Sequence, residues 1–508
     1  MRLMKERWFN YRPICLICAF LLLGSIFAFY LSAYKVFLIV LACLVLVSLL
    51  ALAIYKKKLR YFGVPLTAFI IGILAFNLAI YNFNKTIEYK PDIVQARISA
   101  IGKIYDNKYI KVSADNCVFD DREVEDNIYV IIYGSKEQLS QLEIGRFISF
   151  ESKNFKKNDL FYYDTPDSKM FANDIKYTAI IQYKNLEFGE IDKTFDEEFR
   201  HNVKENLNLS LTKDNAEIAY SALFGDKTML DDEYQNTFRL SGVAHLLAVS
   251  GLHVGIIVAA LSFILKPLKH KKWLRFSIIS SILIFYMYLC GFAMSVMRAV
   301  IMSIVLLVSK NLNEEYDIYN SISIAGILIF LINPLCIFDV SFLMSFSCVL
   351  GIAMLYKSIY SALRKIKIHN VIASSLAVSM STTVSLIILM SFYFKSLSII
   401  SILANVILIP LFTIAFVPTF IITMISVIIP YVAYLLFPIN YLFNFIVFVA
   451  NIFANTPLSN ITTIGINYIA IIVYFVLLVL IGKLCSAKGQ YKFAISLPTL
   501  ALLLYCLL

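Results

Sequence analysis

Charged side chains are scarce in this sequence. Asp, Glu, Lys and Arg make up 16% of the 508 residues, whereas 60% are hydrophobic. So little charge over such a length excludes an ordinary soluble protein, and the apolar content excludes a disordered chain. Uncharged apolar runs at 13–31, 36–55 and 62–83 each reach the ~20 residues that a bilayer-spanning helix needs. Similar runs recur from Leu246 to the end, so the sequence predicts a polytopic α-helical integral membrane protein.

Motifs for several common chemistries are missing. Eight of the nine cysteines lie in or beside apolar runs, and the polar region, which contains only Cys117, has no second thiol for an internal disulfide. None of the five histidines lies in the clustered His/Asp spacing of a metal-dependent nuclease. The phosphate-binding string Gly-x-x-x-x-Gly-Lys-Ser/Thr is also absent. We therefore expect no metal, no cofactor and no ATP hydrolysis, and we do not expect an enzyme.

The distribution of Lys and Arg predicts the orientation of the chain, because cytoplasmic loops retain positive charge. A cytoplasmic N-terminus places every later basic cluster on the same side, at 56–60, 266–275, 364–367 and 483–492. The last basic cluster lies on the cytoplasmic side if the uncharged stretch 396–482 crosses the membrane three times, with a break at Pro430. The total is about thirteen spans, some of them broken, and the polar segment after the third span lies outside the cell membrane.

The polar segment 84–205 is predicted to form a small external β domain. Between residues 82 and 205 lie 18 Lys and Arg against 23 Asp and Glu, a net charge of −5, so the formal +11 of the chain comes from elsewhere. Five short strands favour a small barrel of the oligonucleotide-binding (OB) type. Alternating apolar residues place these strands at 93–104, 109–119, 128–133, 147–152 and 175–182.

Aromatic and basic residues occur together in one part of this domain. Phe155, Lys156, Lys157 and Tyr162 offer the rings and cations with which such a barrel holds single-stranded nucleic acid. The alternative interpretation is a solvated loop whose aromatic rings pack on the barrel or on the membrane surface. The acidic net charge of the domain weighs against the DNA-contact interpretation, and both interpretations stay open.

The segment 238–255 carries most of the polar chemistry of the apolar region. It reads Phe-Arg-Leu-Ser-Gly-Val-Ala-His-Leu-Leu-Ala-Val-Ser-Gly-Leu-His-Val-Gly, with two His, two Ser and three Gly in eighteen residues. A lipid-facing helix does not have this composition, because polar groups at membrane depth require protein or a water-filled cavity around them. Gly242 and Gly251 permit the backbone break or close approach that such a lining needs.

The string from His245 to Gly255 resembles the most characteristic motif of the ComEC family of competence proteins, membrane channels that import single-stranded DNA. The resemblance covers essentially the whole chain and is strongest from 213 to 412. It implies four parts: three N-terminal transmembrane helices (1–83), the OB-like domain (84–205), an amphipathic outer-surface segment (206–245) and the channel core (246–508). Further short motifs resemble those of the family and occur in the same order, namely Gly225-Asp226, Met297-Arg298-Ala299, Asn333-Pro334, Ser341 to Phe346, and Leu403-Ala404-Asn405 with Pro410.

The resemblance implies import of single-stranded DNA across the cytoplasmic membrane during natural transformation. A polyanion that crosses a low-dielectric layer needs a hydrated path lined by hydroxyls, amides and a few cations. We expect Arg298 to face this path or to pair with Asp339; the alternative is a guanidinium that extends to the outer headgroups. Helix-packing hydrogen bonds are the alternative role for the histidines. The candidate lining residues are His245, Ser250, Gly251, His253, Arg298, Asp339 and Asn405.

Two other functions stay open from the residues alone. A membrane-embedded hydrolase could use Ser250 with His245 or His253 as base, but no third orienting group is close in sequence. A small-solute or proton-coupled transporter could use discontinuous helices around His253, Arg298 and Asp339.

The resemblance also implies partners. Family members commonly continue into a metallo-β-lactamase-like domain, and because this sequence stops at Leu508 we expect a separate nuclease. The other expected partners are single-stranded DNA, a surface DNA receptor protein, a cytosolic ATP-driven motor or strand-binding protein, and the lipid bilayer. A homo-oligomer is one arrangement that is compatible with such a channel.

Overall fold

Apolar helices and a separate β-sheet make up the molecule. The computed structural model describes residues 12–30, 60–84, 91–120, 122–151, 153–158, 167–462, 471 and 473–475. The described helices are α1 Pro13–Tyr30, α2 Arg60–Asn84, α3 Lys136–Leu139, α4 Ser168–Ala172, α5 Phe195–Asn208, α6 Lys213–Phe224, α7 Asp232–Leu240, α8 Gly251–Ile264, α9 Lys272–Leu289, α10 Met294–Leu312, α11 Ile318–Ile332, α12 Val340–Lys365, α13 Asn370–Phe394, α14 Ser401–Ser426 and α15 Ile439–Ala454. The strands are β1 Ile93–Tyr105, β2 Tyr109–Phe119, β3 Arg122–Val124, β4 Asn127–Tyr133, β5 Arg146–Glu151, β6 Phe155–Lys157, β7 Ile175–Gln182, β8 Glu187–Ile191, β9 Ser396–Leu397 and β10 Ile461–Thr462.

Seven of the described helices are long and apolar enough to cross a membrane, which confirms a multi-pass membrane protein. They are α1, α2 from Val64, α9, α10, α12, α13 and α14. An eighth crossing is possible where a 3-10 turn, Pro430–Leu436, joins α15 at an angle of 45°, and this bend agrees with the break predicted at Pro430. Two shorter apolar helices are α8 and α11. The total of thirteen is not confirmed, and the spans predicted at 36–55 and 493–508 lie outside the described residues.

Small residues allow the first two of the described membrane helices to pack closely. Gly24 of α1 faces Gly72 of α2, and a methyl group on either would collide with the backbone of the other helix. The hydroxyl of Ser25 donates to the Gly72 carbonyl at 3.3 Å. Lipid supplies no hydrophobic driving force between helices, so close backbone contact of this kind stabilises the pair.

The β-sheet that follows α2 contains all five predicted strands. They are β1, β2, β4, β5 and β7 in an eight-stranded sheet of order β6-β7-β4-β2-β1-β5-β8, with β3 paired to β2. Every pair is antiparallel except β4 with β7. The predicted five-stranded OB barrel is not confirmed, because the described strands follow an open path that ends at β6 and β8. The strands β3, β6 and β8 are too short or too exposed to give a clear alternating pattern.

A buried ion-pair network joins the sheet to the following helix. Arg97 of β1 is 4% exposed and donates to Asp115 of β2 and to Glu197 of α5, both at 2.7 Å. Burial alone would lower the pKa of Arg97, but the two carboxylates raise it above its usual value. A second buried cation, Lys176, pairs with Asp126.

The sheet is also attached to the membrane helices. The Asn333 amide, at the end of α11, donates to the carbonyl (3.2 Å) and hydroxyl (3.0 Å) of Ser168 at the start of α4. Met170 of α4 packs in one apolar cluster with Phe76 and Phe83 of α2. The Asn-Pro motif at 333–334 therefore lies where the external domain meets the core.

Asparagines fix the amphipathic helices α5 to α7 to the last described helices. The Asn215 amide of α6 donates to Asn440 Oδ1 at 3.0 Å and to Asn444 Oδ1 at 2.9 Å. The Asn206 amide of α5 donates to the carbonyl of Ser426 at 3.0 Å. Interhelical amide hydrogen bonds of this kind satisfy polar groups that an apolar setting would otherwise leave unpaired.

Candidate functional site

The segment that links α7 to α8 is a break in the helical path, as the glycines predict. Gly242 has a φ of +76°, and a side chain there would collide with Ser401 at the start of α14. A single 3-10 turn, Ala244–Leu247, follows. Ala248 is extended, and α8 begins at Gly251 after the extended Ser250. Backbone of this kind is tolerated in a membrane region only where protein or a hydrated cavity surrounds it.

Ser250 and His253 form a capping box at the start of α8. The Ser250 hydroxyl accepts from the Leu252 amide at 3.3 Å, and His253 Nδ1 accepts from the Ser250 amide at 3.2 Å. The hydroxyl and Nδ1 are 3.0 Å apart. Two of the amide groups that every helix leaves unpaired at its start are therefore satisfied reciprocally.

His253 is fully buried against α14. Its ring meets Phe412 and Phe416 edge-on, with centroid distances of 5.4 and 4.7 Å. Its Nε2 makes no hydrogen bond of normal geometry within the described part of the chain, although the Leu246 carbonyl is close enough to interact. No carboxylate in the described segments orients this imidazole, so the triad of a serine hydrolase is not formed there.

His245 differs from His253 in its surroundings. Its side chain is exposed, whereas that of His253 is fully buried. It lies within electrostatic range of Lys227, in the turn that follows Gly225-Asp226. Burial lowers the pKa of Lys227. His245 is therefore the histidine of this segment that solvent can reach.

Arg298 lies at the junction of α8, α10 and α12, and only 6% of it is exposed. Its Nε donates to the Ser345 hydroxyl at 2.7 Å, and Nη1 lies 3.8 Å from the Met302 sulfur. A methyl group on Gly251 would lie 3.0 Å from Nη2, so only glycine leaves this space free. The guanidinium is packed between helices, whereas extension to the outer headgroups is the alternative expected from the sequence.

The expected pairing of Arg298 with Asp339 is wrong. Asp339 caps α12 instead, where Oδ1 accepts from the Phe342 amide at 3.0 Å. Within the described ranges, no carboxylate lies at ion-pair distance from Arg298. Arg298 is therefore a buried cation whose partners are a hydroxyl, a thioether and the ring of Phe346, whose centroid lies 6.0 Å from the guanidinium carbon.

Asn405 belongs to a different contact. Its amide donates to the Ser379 hydroxyl at 3.1 Å and joins α14 to α13, whereas its buried Oδ1 has no hydrogen bond to a described residue. No helix break lies beside it, because α14 continues through Pro410 from Ser401 to Ser426.

Helix starts converge on Arg298. The guanidinium lies beside Gly251, the first residue of α8, while Arg298 itself is the fifth residue of α10 and Ser345 is the sixth residue of α12. Three helices therefore meet at this guanidinium within their first two turns. Sequence reasoning missed Ser345, Met302 and Phe416 as members of this site.

The external candidates are arranged differently from what we expected. Phe155 is half-buried and packs against the core of the sheet, where one face of its ring stacks on Tyr177 at a centroid distance of 4.9 Å. Lys157 donates to the Asn84 carbonyl at the end of α2, at 3.2 Å. Lys156 is exposed, and Tyr162 lies outside the described residues.

Similar proteins point to one family. The family model described as "Competence protein" matches residues 222–488, which is more than half of the chain. The chain belongs to the competence protein family. This competence protein is also 30% identical, over 223 residues, to ComE operon protein 3 of Bacillus subtilis (strain 168). The aligned stretch is 43% of this chain and 27% of that relative. No solved structure matches the competence protein.

The family match contains the site around Arg298 and excludes the external sheet. It begins in α6, three residues before the Gly225 turn, and runs through α8 to α15. Among the residues that the structure describes, no group of three or more His, Cys, Asp or Glu could hold a metal ion.

Proposed function

We propose that this competence protein forms a passage through which single-stranded DNA crosses the cytoplasmic membrane during natural transformation. Membership of the competence family supports a role in DNA uptake. The observation that carries the finer step is Arg298, a buried cation next to the break at 242–250 and without a carboxylate partner in the described chain. An arginine in this state remains free to attract phosphates as they pass.

The polar residues of the site have two different roles in this proposal. Arg298 and the accessible His245 line the passage and contact the DNA. Ser250, His253 and Asp339 hold the starts of α8 and α12 in place, because their polar atoms are used in caps. Gly251 leaves room for the guanidinium, and Asn405 fixes α13 to α14.

The proposed topology has the N-terminus in the cytoplasm and the β domain (84–205) on the outer side. The amphipathic segment 206–245 then lies at the outer surface, above the channel core that begins at 246. The starts of α8, α10 and α12 share this outer side, so Arg298 is near the entrance. An entrance on the outer side suits a substrate that arrives from outside the cell.

The passage needs partners to move DNA. A surface receptor protein delivers the duplex, a separate nuclease degrades one strand, and a cytosolic ATP-driven motor or strand-binding protein pulls the other strand. The motor is required because the sequence lacks a phosphate-binding loop of its own. These partners are part of the proposal.

A proton-coupled or small-solute transporter is the second candidate, and one observation bears on it. Such a transporter would use Asp339 as a titrating or substrate-binding group, but Asp339 accepts a backbone hydrogen bond as a helix cap. The site around Arg298 therefore has cations without a carboxylate, which favours a polyanion.

The test is complementation of a transformable host that lacks its own channel gene and encodes its nuclease separately. Transformants and membrane abundance are measured with the wild-type chain and with an empty vector. The proposal predicts rescue of transformation by the wild type. Failure to rescue at normal abundance, in a host that retains the receptor and the motor, contradicts it.

A further inference from the structure

Three tyrosines form an exposed ladder at one end of the external sheet. Tyr105 of β1 lies opposite Tyr109 of β2, which lies opposite Tyr133 of β4. The ring centroids are 5.3 Å apart in both pairs, with interplanar angles of 19° and 36°. Tyr105 is 48% exposed and Tyr133 is 43% exposed. Directly opposed residues point to the same face of a sheet, and the three rings form one stack, the tyrosine ladder, with Tyr105 and Tyr133 as its outer rings.

The hairpin turn holds the ladder in register. Asp106 and Asn107 have φ values of +49° and +53°, and the Lys108 amide donates to the Tyr105 carbonyl at 2.9 Å. Asp and Asn tolerate this left-handed conformation better than other side chains, and a turn of this type matches the twist of the strands. The rings are therefore arranged before any ligand arrives.

Lysines lie on the same face. Lys111 follows Tyr109 by two residues, and its ammonium lies 3.7 Å from the centroid of the Tyr129 ring. Lys156 is opposite Thr178, which is opposite Tyr129, so Lys156 also shares this face. Rings interleaved with cations are how proteins hold single strands without reading their sequence, because every base has a face that can stack.

The ladder is connected to the segment that leads to the membrane site. Lys103, two residues before Tyr105, forms an ion pair with Asp232, the first residue of α7. α7 leads to Gly242 and then to the turn that holds His245. A strand that rests on the ladder is therefore close to the outer entrance of the passage proposed above.

We propose that the tyrosine ladder, with Lys111 and Lys156, is a stacking site for the bases of single-stranded DNA outside the passage. This inference rests on the proposed function in DNA uptake. It replaces Phe155, which is half-buried and stacked on Tyr177, as the aromatic contact of this domain. Because stacking needs unpaired bases, the site prefers single strands to duplex.

The test uses the purified full chain in lipid nanodiscs and a fluorescein-labelled oligothymidylate. The variant Tyr105→Leu/Tyr109→Leu/Tyr133→Leu is compared with the matched variant that carries Phe at the same three positions. Loss of one stacked ring is expected to weaken binding about tenfold, so the leucine variant binds far more weakly, whereas the phenylalanine variant binds like the wild type. Duplex DNA of the same length binds the wild type more weakly than the single strand does.

A second measurement does not depend on the folding of variants. An oligonucleotide with 5-iododeoxyuridine, which crosslinks to stacked rings under ultraviolet light, is expected to attach to Tyr105, Tyr109 or Tyr133 of the wild type. Crosslinks only elsewhere, equal binding by the leucine and wild-type proteins, or no binding by the wild type would each overturn the ladder. If the ladder binds DNA but the wild type does not rescue transformation, the proposed passage is contradicted and the proposed stacking site is supported. If the wild type rescues transformation and the leucine variant binds DNA normally, the stacking site is contradicted and the passage is supported.

Discussion

The β-sheet and the bundle of apolar helices each bury an arginine, and the two arginines have opposite kinds of partner. Arg97 is 4% exposed and Arg298 is 6% exposed, so both guanidinium groups have lost most of their water. Arg97 donates to two carboxylates at 2.7 Å. Arg298 donates to a hydroxyl at 2.7 Å and approaches a thioether at 3.8 Å.

The difference separates structural charge from functional charge. A guanidinium between two carboxylates has its charge neutralised locally, and its role is to hold strands and helix together. A buried guanidinium without a carboxylate costs free energy and contributes no ion pair in return. We infer that the role of Arg298 is to attract an anion, and that the role of Arg97 is to connect the strands to the helix.

The largest expected effect comes from breaking the network of the external sheet. Arg97→Met leaves Asp115 and Glu197 without their cation, which should destabilise the folded domain by ~3–5 kcal/mol. The melting temperature of the purified protein and its resistance to protease measure this loss. Arg122→Met, at an exposed position of the same domain, is the control and should have almost no effect. A variant at position 97 as stable as the control would contradict the structural role.

The next effect is a difference in thiol labelling between the positions of the two histidines. His245→Cys should react with a membrane-impermeant, hydrophilic thiol reagent, because this position is accessible within the core. His253→Cys should not react, because His253 is fully buried. Mass spectrometry of the labelled protein measures both, with the wild type as background. Equal labelling at the two positions would contradict this difference in exposure.

A smaller effect is expected from a substitution that adds one methyl group beside Arg298 and changes no charge. Gly251→Ala places a methyl group 3.0 Å from Arg298 Nη2, so the guanidinium must shift by a few tenths of an ångström. DNA uptake should fall severalfold at normal abundance. Gly255→Ala, one turn later in α8 with nothing within 4 Å, is the matched control and should leave uptake unchanged. Equal uptake by both variants would argue against contact between Arg298 and the substrate.

Local patterns predicted local structure well. The glycines at 242 and 251 predicted the break before α8, and alternation predicted β1, β2, β4, β5 and β7, because both signals need only neighbouring residues. The spacing of Ser250 and His253 also resembles a capping box, although the histidine takes the place of the usual Glu or Gln.

Long-range partners could not be predicted in the same way. Ser345 is 47 residues from Arg298, and nothing in either segment indicates their contact. Asp339 was expected to pair with Arg298 because it is the opposite charge, but its position before α12 makes it a helix cap. The tyrosine ladder depends on the register of three strands, and the sequence signal that could have found it is a tyrosine on each side of the Asp106-Asn107 turn.

The most direct test of the account compares the two buried arginines in one experiment. Arg298→Gln and Arg97→Gln are expressed in the complemented host, and DNA uptake is divided by the amount of folded protein in the membrane. We predict that Arg298→Gln keeps normal stability and abundance but loses most of the uptake, whereas Arg97→Gln loses folded protein and keeps the uptake of whatever remains. Normal uptake per folded molecule in Arg298→Gln would contradict the claim that this arginine lines the path of the DNA.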